Sequence, residues 1–223
     1  MTINPRIVDP MLGPNRVLSL PLYKPDGASF MSKDNHGYLC TVFGALWRPD
    51  GRYFDGTNDK ISIPHATSLT LTSELTIWGW MKWLGAPSGN YPALLNKGTS
   101  GTKINYGAQF ELLTREFEWI EYNTGWGTRP SGLFVKDNAF SFVSVAVHEA
   151  NKTCNFVVDG VARNVGKSAT QALVASTSAL EIARNTNLNT FLNAVVGELH
   201  LEARALTFPE TLYNMQATKW RYV

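Results

Sequence analysis

The run Glu116-Phe-Glu-Trp-Ile-Glu121 sets three carboxylates close together in the chain. Retaining glycoside hydrolysis needs two carboxylates about 5 Å apart across the scissile bond. Glu116 and Glu121 are the candidate pair, with Glu118 between them. Strand parity opposes the assignment. Side chains alternate along a strand, so Glu116 and Glu118 share one face and Glu121 lies on the other unless a bulge intervenes. The competing reading is a solvent-facing acidic strand alternating with Phe117, Trp119 and Ile120, and no residue is assigned a catalytic role.

Aromatic residues are the stronger signal, with seven tryptophans in the chain. In Glu74–Trp83, parity puts Leu75, Ile77, Gly79 and Met81 on one face, and Thr76, Trp78, Trp80 and Lys82 on the other. The aliphatic face belongs to a core. Trp78 and Trp80 then face either a covering layer (a loop, the chain terminus or another subunit) or a sugar ring stacked on the indole. Trp119, Tyr122 and Trp126 form a second aromatic group beside a Gly-containing loop, and loop-borne aromatics are the first place to look for a ligand.

The elements that position these residues are strands. Val17–Tyr23 alternates, with Pro21 marking an edge or bulge. Tyr38–Phe43, Lys60–Ile63, Glu74–Trp83 and Tyr91–Asn96 follow, separated by Gly, Pro, Asn and Asp. Gln109–Leu113 and Glu116–Tyr122 read as a hairpin about Thr114-Arg115, a loop that lacks the favoured Asn-Gly or Gly-x and so leaves a longer, bulged turn open. Lys97–Lys103 reads as a flexible Gly-rich connection without phosphate-loop spacing. Phe140–Val147, Thr153–Val158, Val161–Val165, Leu180–Ala183 and Val195–Ala203 complete the set, with Asp159-Gly160 as a hairpin turn. Thr207-Phe-Pro-Glu210 is a capping box that opens a short helical turn. This predicts an all-β antiparallel sandwich of two sheets. It reads as one domain over 1–223, with residues 1–16 as an N-terminal arm.

Composition excludes several classes. Twenty Lys+Arg against eighteen Asp+Glu leave a formal +2 with no long basic run, so a phosphate-neutralising nucleic-acid surface is unsupported. No segment approaches the roughly 18 apolar residues of a membrane span. The N-terminus shows no apolar stretch after a basic start, so no secretory signal is visible, and a virion or extracellular surface is the expected location. Cys40 and Cys154 lie in apolar runs and read as buried thiols. His36, His65, His148 and His200 have no metal-ligand spacing. Asn151-Lys-Thr153 is a glycosylation sequon, uninformative without secretion.

The stretch Tyr53-Phe-Asp-Gly-Thr-Asn-Asp-Lys-Ile-Ser-Ile-Pro64, followed by Leu69–Trp80, resembles the laminin-G-like branch of the concanavalin A-like lectin/glucanase superfamily. Val157-Val-Asp-Gly160 is similar to that family's Tyr-Val-Asp-Gly hairpin. Phe191–Leu206 is similar to its closing strand, with Gly197 in place of an aspartate and Glu198, Arg204, Ala205 and Leu206 matching. Phe142-Val-Ser departs from the usual Trp-His-His. The resemblance implies a jelly-roll sandwich. It also implies that Glu116–Glu121 is similar to the Glu-x-Asp-x-x-Glu strand of retaining glucanases, although Glu118 replaces the central aspartate.

Many relatives bind Ca²⁺, which takes roughly six to eight oxygens. The resemblance therefore offers Asp55, Asn58 and Asp59, with Asp34 approaching, as candidate ligands, although Asp and Asn are equally ordinary in turns. The function expected is a non-catalytic module adhering to glycans or glycosylated surfaces. The rivals are a virion structural protein using the sandwich for subunit packing and host-surface attachment, and a glycoside hydrolase.

Overall fold

The computed structural model describes residues 15–25, 27–99, 103–122, 127–167 and 172–223. In chain order the strands are β1 (Arg16–Leu20), β2 (Ser29–Met31), β3 (Leu39–Phe43), β4 (Leu46–Arg48), β5 (Gly51–Asp55) and β6 (Lys60–Ile63). Then come β7 (Glu74–Trp83), β8 (Ala93–Thr99), β9 (Lys103–Phe110), β10 (Glu116–Tyr122), β11 (Arg129–Phe134) and β12 (Phe140–His148). The last are β13 (Thr153–Val158), β14 (Val161–Gly166), β15 (Leu180–Ile182), β16 (Arg184–Asn185), β17 (Thr190–Phe191) and β18 (Asn193–Glu202), ahead of helix α1 (Phe208–Lys219).

Two antiparallel sheets face each other. The first runs β14-β13-β12-β7-β18-β5-β4, with β1 also paired to β18; the second runs β11-β10-β9-β8-β15-β6-β3-β2. This is the jelly-roll sandwich expected from the alternating pattern. The core between the sheets takes Leu75, Ile77 and Met81 of β7, Val143, Val145 and Val147 of β12, and Leu199 and Leu201 of β18. Opposite them lie Ile61 and Ile63 of β6, Tyr106 and Phe110 of β9, Phe117 and Trp119 of β10, and Leu180 and Ile182 of β15. Cys40 and Cys154 are buried free thiols, and burial pushes the Cys154 thiol up to about 12, so it has little nucleophilic character.

The Asp159-Gly160 turn forms as expected, both residues having positive φ (49° and 86°), the conformation a tight hairpin turn demands. The β9–β10 connection takes the longer of its two expected forms, and the helix exceeds the expected short turn. The β9–β10 turn is longer than two residues: Glu111 accepts from the Thr114 N–H and hydroxyl at 2.6 and 2.7 Å, and Arg115 adopts φ 63°. The helix is also longer than a turn, with twelve residues. Its capping box is present, the Thr207 N–H donating to Glu210 Oε2 at 2.8 Å. No helix is long and apolar enough to cross a membrane among the described residues.

Helix α1 lies across the outer face of the first sheet, because that face is apolar. Leu206, Met215 and the partly buried Leu212 cluster with Trp78, Trp80, Phe142 and Val157. Laying Leu212 and Met215 of the helix, with the preceding Leu206, over two indoles and a phenyl ring removes apolar area from water that neither layer could hide alone.

Candidate functional site

Trp78 and Trp80 are the covered face, not an open platform. The Trp80 indole N–H donates to Thr218 Oγ1 of α1 at 2.7 Å, and its ring stacks on Tyr222 with centroids 5.0 Å apart. Trp78 stacks on His200 at 4.0 Å, lies under the Arg16 guanidinium at 5.0 Å, and is 1% exposed. Both rings therefore have their faces occupied by the chain itself. Trp119 belongs to the inter-sheet core. Tyr122 ends β10 half-buried, and Trp126 lies outside the described residues.

The three glutamates divide as parity requires. Phe117, Trp119 and Glu121 point inward, and Glu116, Glu118 and Ile120 face outward. Glu121 is fully buried, 2.7 Å from the Lys167 ammonium, which lies 2.9 Å from Glu149. Glu116 accepts the Gly132 N–H at 2.6 Å. Glu116 and Glu121 thus do not flank a common space, and the spacing that suggests a retaining pair is not realised in geometry.

The Asp55 turn uses its oxygens internally. Asp55 Oδ1 accepts from the N–H groups of Thr57 and Asn58, and Asp59 Oδ2 accepts the Asp55 N–H at 3.0 Å. Asp59 is buried, which raises its carboxyl above the usual range. Its Oδ1 lies against Gly44 (φ 74°), where a Cβ would come within 1.7 Å. Asp34 likewise accepts from the Ser19, His36 and Gly37 N–H groups. Among the described residues no three His, Cys, Asp or Glu side chains group to hold a metal. This donor set does not fit a calcium ion, which needs several uncommitted oxygens. Millimolar CaCl₂ or EDTA should accordingly leave the melting temperature unchanged; a rise of several degrees with calcium would overturn that.

An open cleft of about 310 Å³ lies on the outer face of the second sheet, lined by Tyr91, Gln109, Ile120, Thr128 and Leu188. Beneath it, the lining Ile120 on β10 pairs with Gly107 on β9, which pairs with Asn96 on β8. Gly107 leaves room for the Ile120 side chain: a Cβ there would meet Ile120 Cγ2 at 2.8 Å. The walls are fixed by one buried residue, Asn185. Its amide donates to the Tyr91 carbonyl at 2.8 Å and to Gln109 Oε1 at 3.1 Å. Its oxygen accepts from the N–H groups of Asn187 and Leu188. All four hydrogen-bonding positions of the side chain are used, and they tie three lining residues to one point.

Gln109 in turn donates to Glu118 Oε2 at 3.0 Å. Tyr91 precedes Pro92, which disfavours anything but an extended backbone, yet it adopts φ 57° and keeps its ring exposed. Such strain persists only when surroundings over-determine it, and it concentrates at binding sites. Tyr91, Gln109 and Asn185 were not legible as a site in the sequence. The signal available was the turn-forming run Asn185-Thr-Asn-Leu-Asn189.

The family profile described as the concanavalin A-like lectin/glucanases superfamily matches residues 55–210. The chain belongs to that superfamily. Its members include carbohydrate-binding and glycosidase modules. No curated protein matches the sequence. Among solved structures, the chain is similar to the Trypanosoma rangeli sialidase, with 17% identity and a TM-score of 0.64 over 92% of this chain and 33% of that one. It thus spans about a third of the length of the sialidases it matches. It is similar to the binding domain of Paraclostridial Mosquitocidal Protein 1, with 14% identity and a TM-score of 0.68 over 91% of this chain and 52% of that one. It is also similar to Domain 4 of AbnA, a GH43 extracellular arabinanase from Geobacillus stearothermophilus, in complex with arabinotriose. There the identity is 10% and the TM-score 0.68, over 88% of this chain and 96% of that one. Identities this low speak to the fold alone.

Proposed function

We propose that this chain is a non-catalytic recognition module that adheres to glycans or glycosylated surfaces through the cleft beside Tyr91. The observation that carries the reading is Asn185, buried and fully bonded, holding an exposed aromatic, a polar amide and a turn around one concave space. An aromatic face beside a few oriented polar groups is what a sugar ring needs, since its C–H face packs on the ring and its hydroxyls need fixed partners. The separation of Glu116 from Glu121 favours binding over hydrolysis. The arabinotriose bound by Domain 4 of AbnA is a reason to include arabino-oligosaccharides among the ligands tried.

The test is a glycan array followed by calorimetry on Tyr91→Gly. Glycine takes a positive φ without strain, so the variant removes the ring and leaves the fold. Loss of at least tenfold in affinity is expected, about 1.4 kcal/mol. Undiminished binding, or no glycan bound by the parent protein, would count against the reading.

A second reading, subunit packing on a particle surface, is favoured by one observation. Met31, Leu39 and Phe43 are exposed near one edge of the second sheet, and Leu46 and Trp47 are exposed on the edge strand β4 of the first. A strictly monomeric protein by light scattering across a wide concentration range would argue against it.

A further inference from the structure

We infer that the cleft discriminates by charge, admitting uncharged glycans and rejecting those that carry carboxylate or sulfate, and that Glu118, with Glu116 and Glu111, is the specificity-determining group. This rests on the glycan-binding reading and adds the substrate class.

The ten glutamates of the chain all fall within the described residues, and seven lie within 4.0 Å of a basic side chain. Glu202 pairs with Arg16, Glu181 with Lys60, Glu198 with Arg221 and Glu210 with Arg204; Glu121 and Glu149 share Lys167, and Glu74 sits beside His148. The three without such a partner among the described residues are Glu111, Glu116 and Glu118. Of these, Glu118 borders the cleft through its bond with the lining Gln109, and Glu116 and Glu111 lie beyond it toward the β9–β10 turn, close enough to act on its charge. Glu118 is two positions from Ile120 on the same face of β10, 5% exposed, and bonded to the lining Gln109. Glu116 is two positions further along that face, and Glu111 begins the turn that joins β9 to β10.

Two basic residues lie close by in the chain or the sheet. Arg115 pairs with Asp137, and Arg129, opposite the inward-facing Trp119, donates to the Thr128 carbonyl at 2.7 Å. The chain of amides runs one way, Asn185 donating to Gln109 and Gln109 donating to Glu118, an orientation that suits a negative oxygen at its end. Burial holds the Glu118 carboxyl above its usual range, the Gln109 bond opposes that, and Glu116 and Glu111 raise it further. The three carboxylates therefore feel one another across this flank. An incoming anion enters the field of these carboxylates in an open cleft, where repulsion is felt at low salt and screened at high salt.

The experiment is calorimetry with lactose and arabinotriose against sialyllactose and trigalacturonate, at low and high salt. The parent protein should bind at least one neutral sugar ten times or more tighter than its acidic counterpart, with the gap narrowing at high salt. The triple variant Glu111→Gln, Glu116→Gln, Glu118→Gln should narrow it as well. Should that variant melt early, Glu116→Gln alone, at a half-buried position, should still shrink the ratio. Acidic sugars bound as tightly as neutral ones, or a ratio indifferent to the glutamines, would overturn the charge selection while Tyr91-dependent binding stands. Absence of binding to all four would overturn both readings together.

Discussion

Replacing Lys167 by alanine is expected to destabilise the fold by about 3–5 kcal/mol, the usual cost of removing one partner of a buried ion pair. The Lys167 ammonium sits 2.7 Å from Glu121 and 2.9 Å from Glu149, with the lysine and Glu121 side chains entirely buried. Glu149 keeps a second partner in Lys152; for Glu121 the described ion pair is the one with Lys167. Without the lysine, Glu121 is left charged in the interior or must take a proton. Set against a typical net stability of about 5–15 kcal/mol, this is a large fraction, and urea denaturation reads it directly.

The pH dependence has a definite sign. Burial already raises the Glu121 carboxyl above the ordinary range, and Lys167 opposes that rise. Removing Lys167 raises it further, so the folded variant binds a proton that the unfolded chain releases. The penalty should therefore grow as pH climbs above the ordinary carboxylate range and fade on acidification. The double change Lys167→Met, Glu121→Leu should recover most of the loss, since a well-packed apolar pair matches a buried ionic one. A single variant as stable as the parent at pH 7 would show that the ion pair is not holding β10 to the end of β14.

Parity made the fold readable, and the same rule reached only part of the site. The alternation in Glu74–Trp83 separates the aliphatic core face from the tryptophan face. What covers those tryptophans cannot be read from β7, because the cover is α1, over a hundred residues away in the chain. The capping box marks where that helix begins, yet nothing local says that Thr218 will meet Trp80. Parity likewise separates Glu121 from Glu116 and Glu118. It leaves open that Glu121 meets Lys167, again through a contact distant in sequence.

The cleft was illegible for a different reason. Tyr91 reads as the first residue of an extended strand, and the groups that hold its carbonyl in the left-handed conformation, the Asn185 amide and the Thr190 hydroxyl, are distant in the chain. The Asp and Asn residues offered as calcium ligands are turn formers, and their spacing could not show that their oxygens bond the chain's own backbone. Composition misled at Lys97 and Gly98. A Gly-rich stretch suggested a flexible connection, whereas β8 continues through Thr99.

That misreading hid a costly residue, and Lys97→Met is expected to stabilise the protein at neutral pH by about 1–3 kcal/mol. The Lys97 side chain is buried; its ammonium donates to the Ser178 carbonyl at 2.7 Å and lies 3.4 Å from His65 Nδ1. Among the described residues no carboxylate lies within ion-pair distance of it. Burial lowers its pKa from 10.5 to about 8. At about 1.36 kcal/mol per unit, the ceiling is about 3 kcal/mol. Exposed His65 brings water near the ammonium, and methionine leaves the half-buried Ser178 carbonyl to solvent, so the realised gain falls below that ceiling.

The sign follows from linkage. Below pH 8 both folded and unfolded chains hold the proton, and the folded state bears the whole cost of burying the charge. Between pH 8 and 10.5 the folded lysine is neutral while the unfolded one is still charged, so the parent gains stability as pH rises. Methionine has no such titration. The stability difference between variant and parent should be flat up to about pH 7, shrink from pH 8, and largely close by pH 10.5. Paired urea titrations at pH 7 and pH 10, both above the ordinary histidine range, measure it, and titrating groups remote from Lys97 cancel in the difference. A variant less stable than the parent at pH 7, or two profiles that run parallel through the alkaline range, would mean that the Ser178 bond outweighs the buried charge.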